Sequence, residues 1–213
     1  MLSKEKVIEA KIRSSQDILG TCIKYVCAGN YIDFGPTGSI DDSILDKLLA
    51  KAADEKISGK ELRSLKADLA QAEELVYLTD NCGEIVMDKI LIKIIKELYP
   101  QIHITVILRG GEALNDATTE DAKEVGLTGY ADCMGCGVPI TGTDLSAVSA
   151  EAGGIIRAGD VIISKGQGNF EGLYGEKLNP YFLFLCKCDL FVRRFGLERY
   201  ASVFAREDHM LLL

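Results

Sequence analysis

A chain of 213 residues that is 47% apolar and 26% charged has material for one well-filled core and leaves little room for long disorder. Its 32 acidic residues outnumber 24 basic ones, giving a formal net charge of -8, and no lysine- or arginine-rich run stands out, which argues against a nucleic-acid partner. The amino terminus lacks the uninterrupted apolar core of a secretory signal, and the longest apolar stretch, Tyr181 to Phe191, is broken by Lys187 and Asp189, so a cytoplasmic protein with no membrane partner is expected.

Residues 3 to 28 carry apolar side chains at helical spacing, among them Val7, Ile8, Ile12, Ile18, Leu19, Ile23 and Val26. Pro36 and its neighbouring glycines mark a loop, after which Ile44, Leu45, Leu48 and Leu49 resume helical spacing, and Glu61 to Ala72 reads as a further amphipathic helix. The period then changes. Leu75 to Leu78 is a short apolar run of the kind that forms a parallel strand buried on both faces. Ile85 to Leu98 returns to helical spacing, Pro100 stops it, and Ile104 to Leu108 is a second strand rich in β-branched residues. Strand, helix, strand in this order is a βαβ unit of a parallel sheet.

Short helices are expected over Thr119 to Val125 and Leu145 to Ala152, the latter capped by Thr143 or Asp144, with a third strand at Val161 to Ser164. Tyr181 to Leu185 is a strand or a helix, periodicity leaving both open, and Tyr200 to Phe204 is a candidate fifth strand. The whole reads as a single α/β domain, 1–213, mostly helical over 1–72 and carrying the sheet over 73–213: a three-layer α/β/α fold with a mostly parallel central sheet and an amino-terminal helical segment.

In open parallel sheets the ligand sits beyond the carboxyl ends of the strands, so the polar residues after each apolar run carry the chemistry. Thr79-Asp80-Asn81-Cys82-Gly83-Glu84 follows the first strand, with Asp88 one helical turn beyond Glu84. Arg109 to Asp116 follows the second, and Lys165 to Glu171 follows the third. Carboxylate and amide oxygens suit hard divalent cations, which makes Asp80, Asn81 and Asp116 candidate metal ligands. Lys165 would be a point charge on phosphate oxygens, with Gly166 and Gly168 letting the main chain approach. Each residue also has a plainer reading: Asp80 and Asn81 as helix caps, Asn115-Asp116 as a turn, Glu84 and Asp88 as a solvated helix face, and Lys165 as a surface lysine.

Competing chemistries fit poorly. Gly166-Gln167-Gly168 lacks the third glycine of a dinucleotide fingerprint, no P-loop is present, and His103 and His209 both lie away from the strand-end clusters. The odd count of seven cysteines gives no disulfide framework, and Cys133-x-x-Cys136 with Cys186-x-Cys188 is a poor match to a zinc ribbon.

Asp80-Asn81-Cys82-Gly83-Glu84 with Asp88, Leu114-Asn115-Asp116 and Ser164-Lys165-Gly166-Gln167-Gly168-Asn169-Phe170-Glu171 resemble the signature segments of the damage-control phosphatase family, the domain of unknown function 89 or ARMT1-like family. Gly29 to Gly35 is similar to a further family segment. The resemblance implies an α/β/α core with an added helical part and a phosphatase of small phosphorylated metabolites dependent on one divalent metal ion, manganese, magnesium, cobalt or nickel. By position it implies Asp80, Asn81 and Asp116 as metal ligands, Lys165 at the substrate phosphate, and Glu84, Gly166 and Asn169 beside it, so that Asp80, Asp116 and Lys165 carry catalysis. Members commonly have a small residue where Cys82 stands. The alternatives are a catalytically incomplete metal- and phosphate-binding protein and a carboxyl methyltransferase using S-adenosylmethionine, a role also proposed within the family. An aspartyl nucleophile would want Asp-x-Asp after the first strand, so water is the better candidate for the attacking group.

Overall fold

The computed structural model describes residues 2–30, 47, 50–52, 55–186, 188–196 and 198–210, the side chains of residues 190, 194 and 195 excepted. The predicted loop at Pro36 and most of the helix expected near Ile44 to Leu49 lie outside the described residues, as does the family-like segment beyond Asn30.

Helices α1 (Glu5–Arg13) and α2 (Ile18–Gly29) occupy the stretch read as one helix. The break is local chemistry. The Ser14 and Ser15 hydroxyls donate to the carbonyls of Lys11 and Ile12 at the end of α1, and the Asp17 carboxylate accepts from Gly20 N at the start of α2. Helix α3 (Gly59–Gln71) is capped by Ser58. There follow β1 (Glu74–Leu78), α4 (Ile85–Leu98), β2 (His103–Leu108), α5 (Thr119–Glu124), β3 (Asp132–Gly135), α6 (Ala150–Ala158), β4 (Val161–Lys165), α7 (Gln167–Leu173), β5 (Tyr181–Leu185), α8 (Asp189–Phe195) and β6 (Ser202–Arg206).

The strands form a mostly parallel sheet in the order β3-β2-β1-β4-β5-β6, with only β6 antiparallel among the described strands. Alternate side chains feed two cores. Leu75, Tyr77, Ile104, Val106 and Ile163 pack with α1 to α5 on one face, while Val76, Leu78, Ile107, Ile162 and Phe182 pack with α6 to α8 on the other. This is the expected three-layer arrangement, and each fully buried Leu, Ile or Val contributes about 1.5–3 kcal/mol by leaving water.

Several elements differ from the sequence expectation. Strand β3 was not anticipated, because Asp132-Cys133-Met134-Gly135 is a short, half-exposed edge with no apolar run. The helix expected from Leu145 begins at Ala150 under a Ser149 cap: Asp144 is engaged by Ser146, and the Thr143 hydroxyl by Asn169. Residues 167–173, read as a glycine-rich turn, are helical because Phe170 and Leu173 seat in the second core, a tertiary gain that overrides two glycines. Helix α8 was likewise not foreseen. Tyr181–Leu185 is a strand with every side chain buried, and β6 starts two residues later than expected, beyond Tyr200, which has φ 64°.

Candidate functional site

The strand order reverses its direction of growth between β1 and β4, whose carboxyl ends lie side by side with Leu78 opposite Ser164. A crevice at such a switch point is where doubly wound sheets bind ligands. Asp80 follows β1 there, and Gly166 follows β4. At φ 81° Gly166 turns its main chain so closely onto Asp80 that a Cβ would run into the carboxylate.

Residues 80–82 and 115–117 are far apart in sequence and meet as a short antiparallel bridge. Asn81 pairs with Asp116, Cys82 N donates to Asn115 O at 2.9 Å, and Ala117 N donates to Asp80 O at 2.7 Å. The predicted ligands Asp80, Asn81 and Asp116 therefore lie together beyond the carboxyl ends of β1 and β2. The Asn81 amide donates to Asp80 Oδ2 at 3.0 Å and to Glu84 Oε1 at 3.3 Å. Helix α4 has Glu84 at its cap position with no side-chain cap bond, so Asp80 and Asn81 do not act as its caps. Residues 113–116 do form a turn, with Asp116 N on Ala113 O and Leu114 at φ 51°, and the turn delivers Asp116 to the site.

Below this layer lies a dry ion cluster. Lys165 is 0% exposed, and its Nζ donates to Glu84 Oε2 at 2.5 Å and Asp88 Oδ1 at 3.0 Å. Tyr77 OH donates to Asp88 Oδ1 at 2.6 Å and Asn30 Nδ2 to Glu84 Oε2 at 2.6 Å, while Asp88 Oδ2 is buried with no hydrogen-bond partner among the described residues. Glu84 and Asp88 are thus interior residues rather than a solvated helix face, and Lys165 is not a surface lysine. Burial by itself lowers the Lys165 ammonium, but Asp88 and Glu84 outweigh it and hold it above the ordinary range. Burial also raises the Asp88 carboxyl, with Glu84 adding to the rise.

Arg109, placed by the sequence at the head of the polar run after the second strand, was given no role there. Its guanidinium is 2% exposed and lies among the loops that follow four strands. Nε donates to Asp116 Oδ2 at 2.6 Å, NH1 to Gly142 O at 2.8 Å, and NH2 to Asn169 Oδ1 at 3.0 Å. Asn169, expected beside the substrate, is fully buried: its amide donates to Thr79 O at 2.8 Å and Lys165 O at 2.6 Å, and its Oδ1 accepts from the Thr143 hydroxyl at 2.8 Å. A buried arginine requires compensating acceptors, so an arginine closing an apolar strand was the available signal.

The donor set suits a hard divalent cation. Asp80, Asn81 and Asp116 supply carboxylate and amide oxygens, the chemistry such ions select. Among the described residues the four carboxyl groups Asp80, Glu84, Asp88 and Asp116 cluster with the two cations Lys165 and Arg109, so acidic groups outnumber basic ones. Burial, then Glu84 and Asp116, push the Asp80 carboxyl up to about 8 against the opposing pull of Lys165 and Arg109. Among the described residues no group of three or more His, Cys, Asp or Glu side chains is arranged to hold a metal, and none of the described cysteines is joined in a disulfide. His103 and His209 sit away from the crevice, His103 between Glu74 and Asp132 and His209 against Glu61. None of the described helices is long and apolar enough to cross a membrane.

Residues 3–203 match the damage-control phosphatase ARMT1-like domain. The chain is 32% identical over 208 residues to the damage-control phosphatase PH1575 of Pyrococcus horikoshii, an alignment covering 96% of this chain and 70% of that protein. It is 29% identical over 191 residues to a damage-control phosphatase of Archaeoglobus fulgidus, covering 88% of this chain and 65% of the relative. The crystal structure of PH1575, a DUF89 family protein, superimposes with a TM-score of 0.82 at 30% identity, covering 97% of this chain and 73% of that one.

Proposed function

The chain belongs to the damage-control phosphatase ARMT1-like domain family, and from that premise we propose that it hydrolyses small phosphorylated metabolites with one divalent metal ion, manganese, magnesium, cobalt or nickel, held by Asp80, Asn81 and Asp116. The observation that carries this reading is the bridge joining residues 80–82 to 115–117, which sets three oxygen-bearing side chains at the switch point of the sheet. When bound, the cation would supply Lewis-acid polarisation of a phosphoryl oxygen and offset its charge.

This chain's residues provide the remainder. Asp116 is steadied by Arg109, and Asp80 by Asn81. Gly166, without a side chain, lets the end of β4 pack directly against the Asp80 carboxylate and so helps to hold it in place. Lys165, held by Glu84 and Asp88, acts on the site through Asp80, whose ionised form its charge favours. The attacking group is water: its oxygen forms the new bond to phosphorus, the ester P–O bond breaks, and one of the water's protons ends on the departing alkoxide oxygen, leaving the alcohol and inorganic phosphate. The reaction takes place in the cytoplasm on a small phosphorylated metabolite, with neither nucleic acid nor membrane as a partner.

The sealing of Lys165 favours a second reading, a protein that binds metal and phosphate ester without turnover. One experiment separates the two. Phosphate release from a panel of sugar phosphates and p-nitrophenyl phosphate is followed after chelation and with each metal restored, for the native chain and Asp116→Ala. Metal-restored release that Asp116→Ala abolishes supports the phosphatase. Metal binding that depends on Asp116, with no release, supports the binding protein.

A further inference from the structure

Arg109 connects the segments that follow β1, β2, β3 and β4 through a single guanidinium. Its bonds reach Asp116 after β2, Gly142 after β3 and Asn169 after β4. Asn169 passes the connection on to Thr79 O, the carbonyl immediately before Asp80, and to Lys165 O at the end of β4. Thr143 Oγ1 closes the frame by donating to Asn169 Oδ1. The three groups are fully or almost fully buried, so their geometry is set by one another rather than by water.

Such a frame does more than neutralise charge. A lysine at this position would keep the positive charge, but it could not present planar N–H groups to a carboxylate, a carbonyl and an amide oxygen at once. Groups that orient a metal ligand from behind in this way typically govern affinity by about 10–100-fold.

We propose that Arg109 is the positioning residue of the metal centre: it orients the Asp116 carboxylate and, through Asn169, holds the main chain that delivers Asp80. This rests on the metal reading above. The residue does not touch the reacting atoms, so its loss shows first in metal affinity and only through that in turnover.

The test is Mn(II) binding to the metal-free full chain, by titration calorimetry, for the native protein, Arg109→Lys and Thr143→Val, with thermal unfolding of each metal-free protein alongside. The expected result is a folded Arg109→Lys chain that binds Mn(II) about 10–100-fold more weakly, and whose lost phosphatase kcat recovers when Mn(II) is raised in proportion. Thr143→Val, which removes only the hydroxyl that closes the frame, weakens Mn(II) binding in the same direction and by less. A folded Arg109→Lys chain with native Mn(II) affinity overturns the positioning role and leaves the metal reading intact. Should Arg109→Lys fail to fold, a folded Thr143→Val chain with native affinity overturns it equally. A native chain that binds none of Mn(II), Mg(II), Co(II) and Ni(II) overturns both, which distinguishes the two failures.

Discussion

The two ends of strands β1 and β2 handle charge in opposite ways. At the carboxyl end, Lys165, Arg109 and the carboxylates around them are almost or wholly cut off from water. At the amino end, His103 bridges Glu74 and Asp132 at 2.8 Å on each side, yet its side chain is 53% exposed, and a groove of about 490 Å³ opens beside it, lined among others by Thr105, Met134 and Ile155. Bond lengths are alike at the two ends. What differs is the dielectric around them: in a dry interior a charge left without its partner is costly, whereas at the surface water and salt replace the partner almost freely.

The largest test of this contrast is Lys165→Met. It leaves Glu84 and Asp88 buried without their cation, and the expected loss is about 3–5 kcal/mol, read as a lowered urea midpoint or failure to fold. A loss below about 1 kcal/mol, the scale of an exposed pair, would erase the distinction between the two ends. Gly166→Ala comes next, because alanine at φ 81° is strained and its Cβ would strike Asp80; about 1–3 kcal/mol of stability and a displaced Asp80 are expected, with weaker metal binding as the second readout.

The smallest effect belongs to the exposed end. Bonds to Glu74 and then Asp132 hold His103 above its ordinary pKa, against a small opposing effect of burial. A group raised on folding contributes stability that is present in full below its unfolded value of about 6.5 and is lost as pH rises through the folded value. Urea midpoints of the native chain and His103→Gln should therefore differ most at about pH 5 and converge toward alkaline pH, with the whole gap below about 1 kcal/mol and shrinking in high salt. A gap that survives high salt would mean that this end is drier than its exposure shows.

Much of the fold was legible because apolar periodicity is a local property. The runs Leu75–Leu78 and Ile104–Leu108, the helix between them and the strand at Val161 announce a parallel sheet without reference to any partner. The edge strand Asp132–Gly135 escaped notice because half-exposed residues need no apolar run, and α7 because its glycines argue against the helix that Phe170 and Leu173 stabilise from a distance. The strand-end positions of Asp80, Asn81, Asp116 and Lys165 followed from the same periodicity and from the family's motifs.

By itself, then, the sequence determined that polar residues would gather beyond the carboxyl ends of buried strands, since hydrophobic runs of strand length force that placement. Tertiary structure alone decided which of those residues pair. Residue Arg109 found Asp116 and Asn169, Lys165 found Glu84 and Asp88, and residues 80–82 met 115–117, because each pairing needs segments separated along the chain to be brought within hydrogen-bond distance in an interior without water. In such an interior an ionised group is tolerated only with a partner, and the fold, rather than the spacing of residues, chooses it.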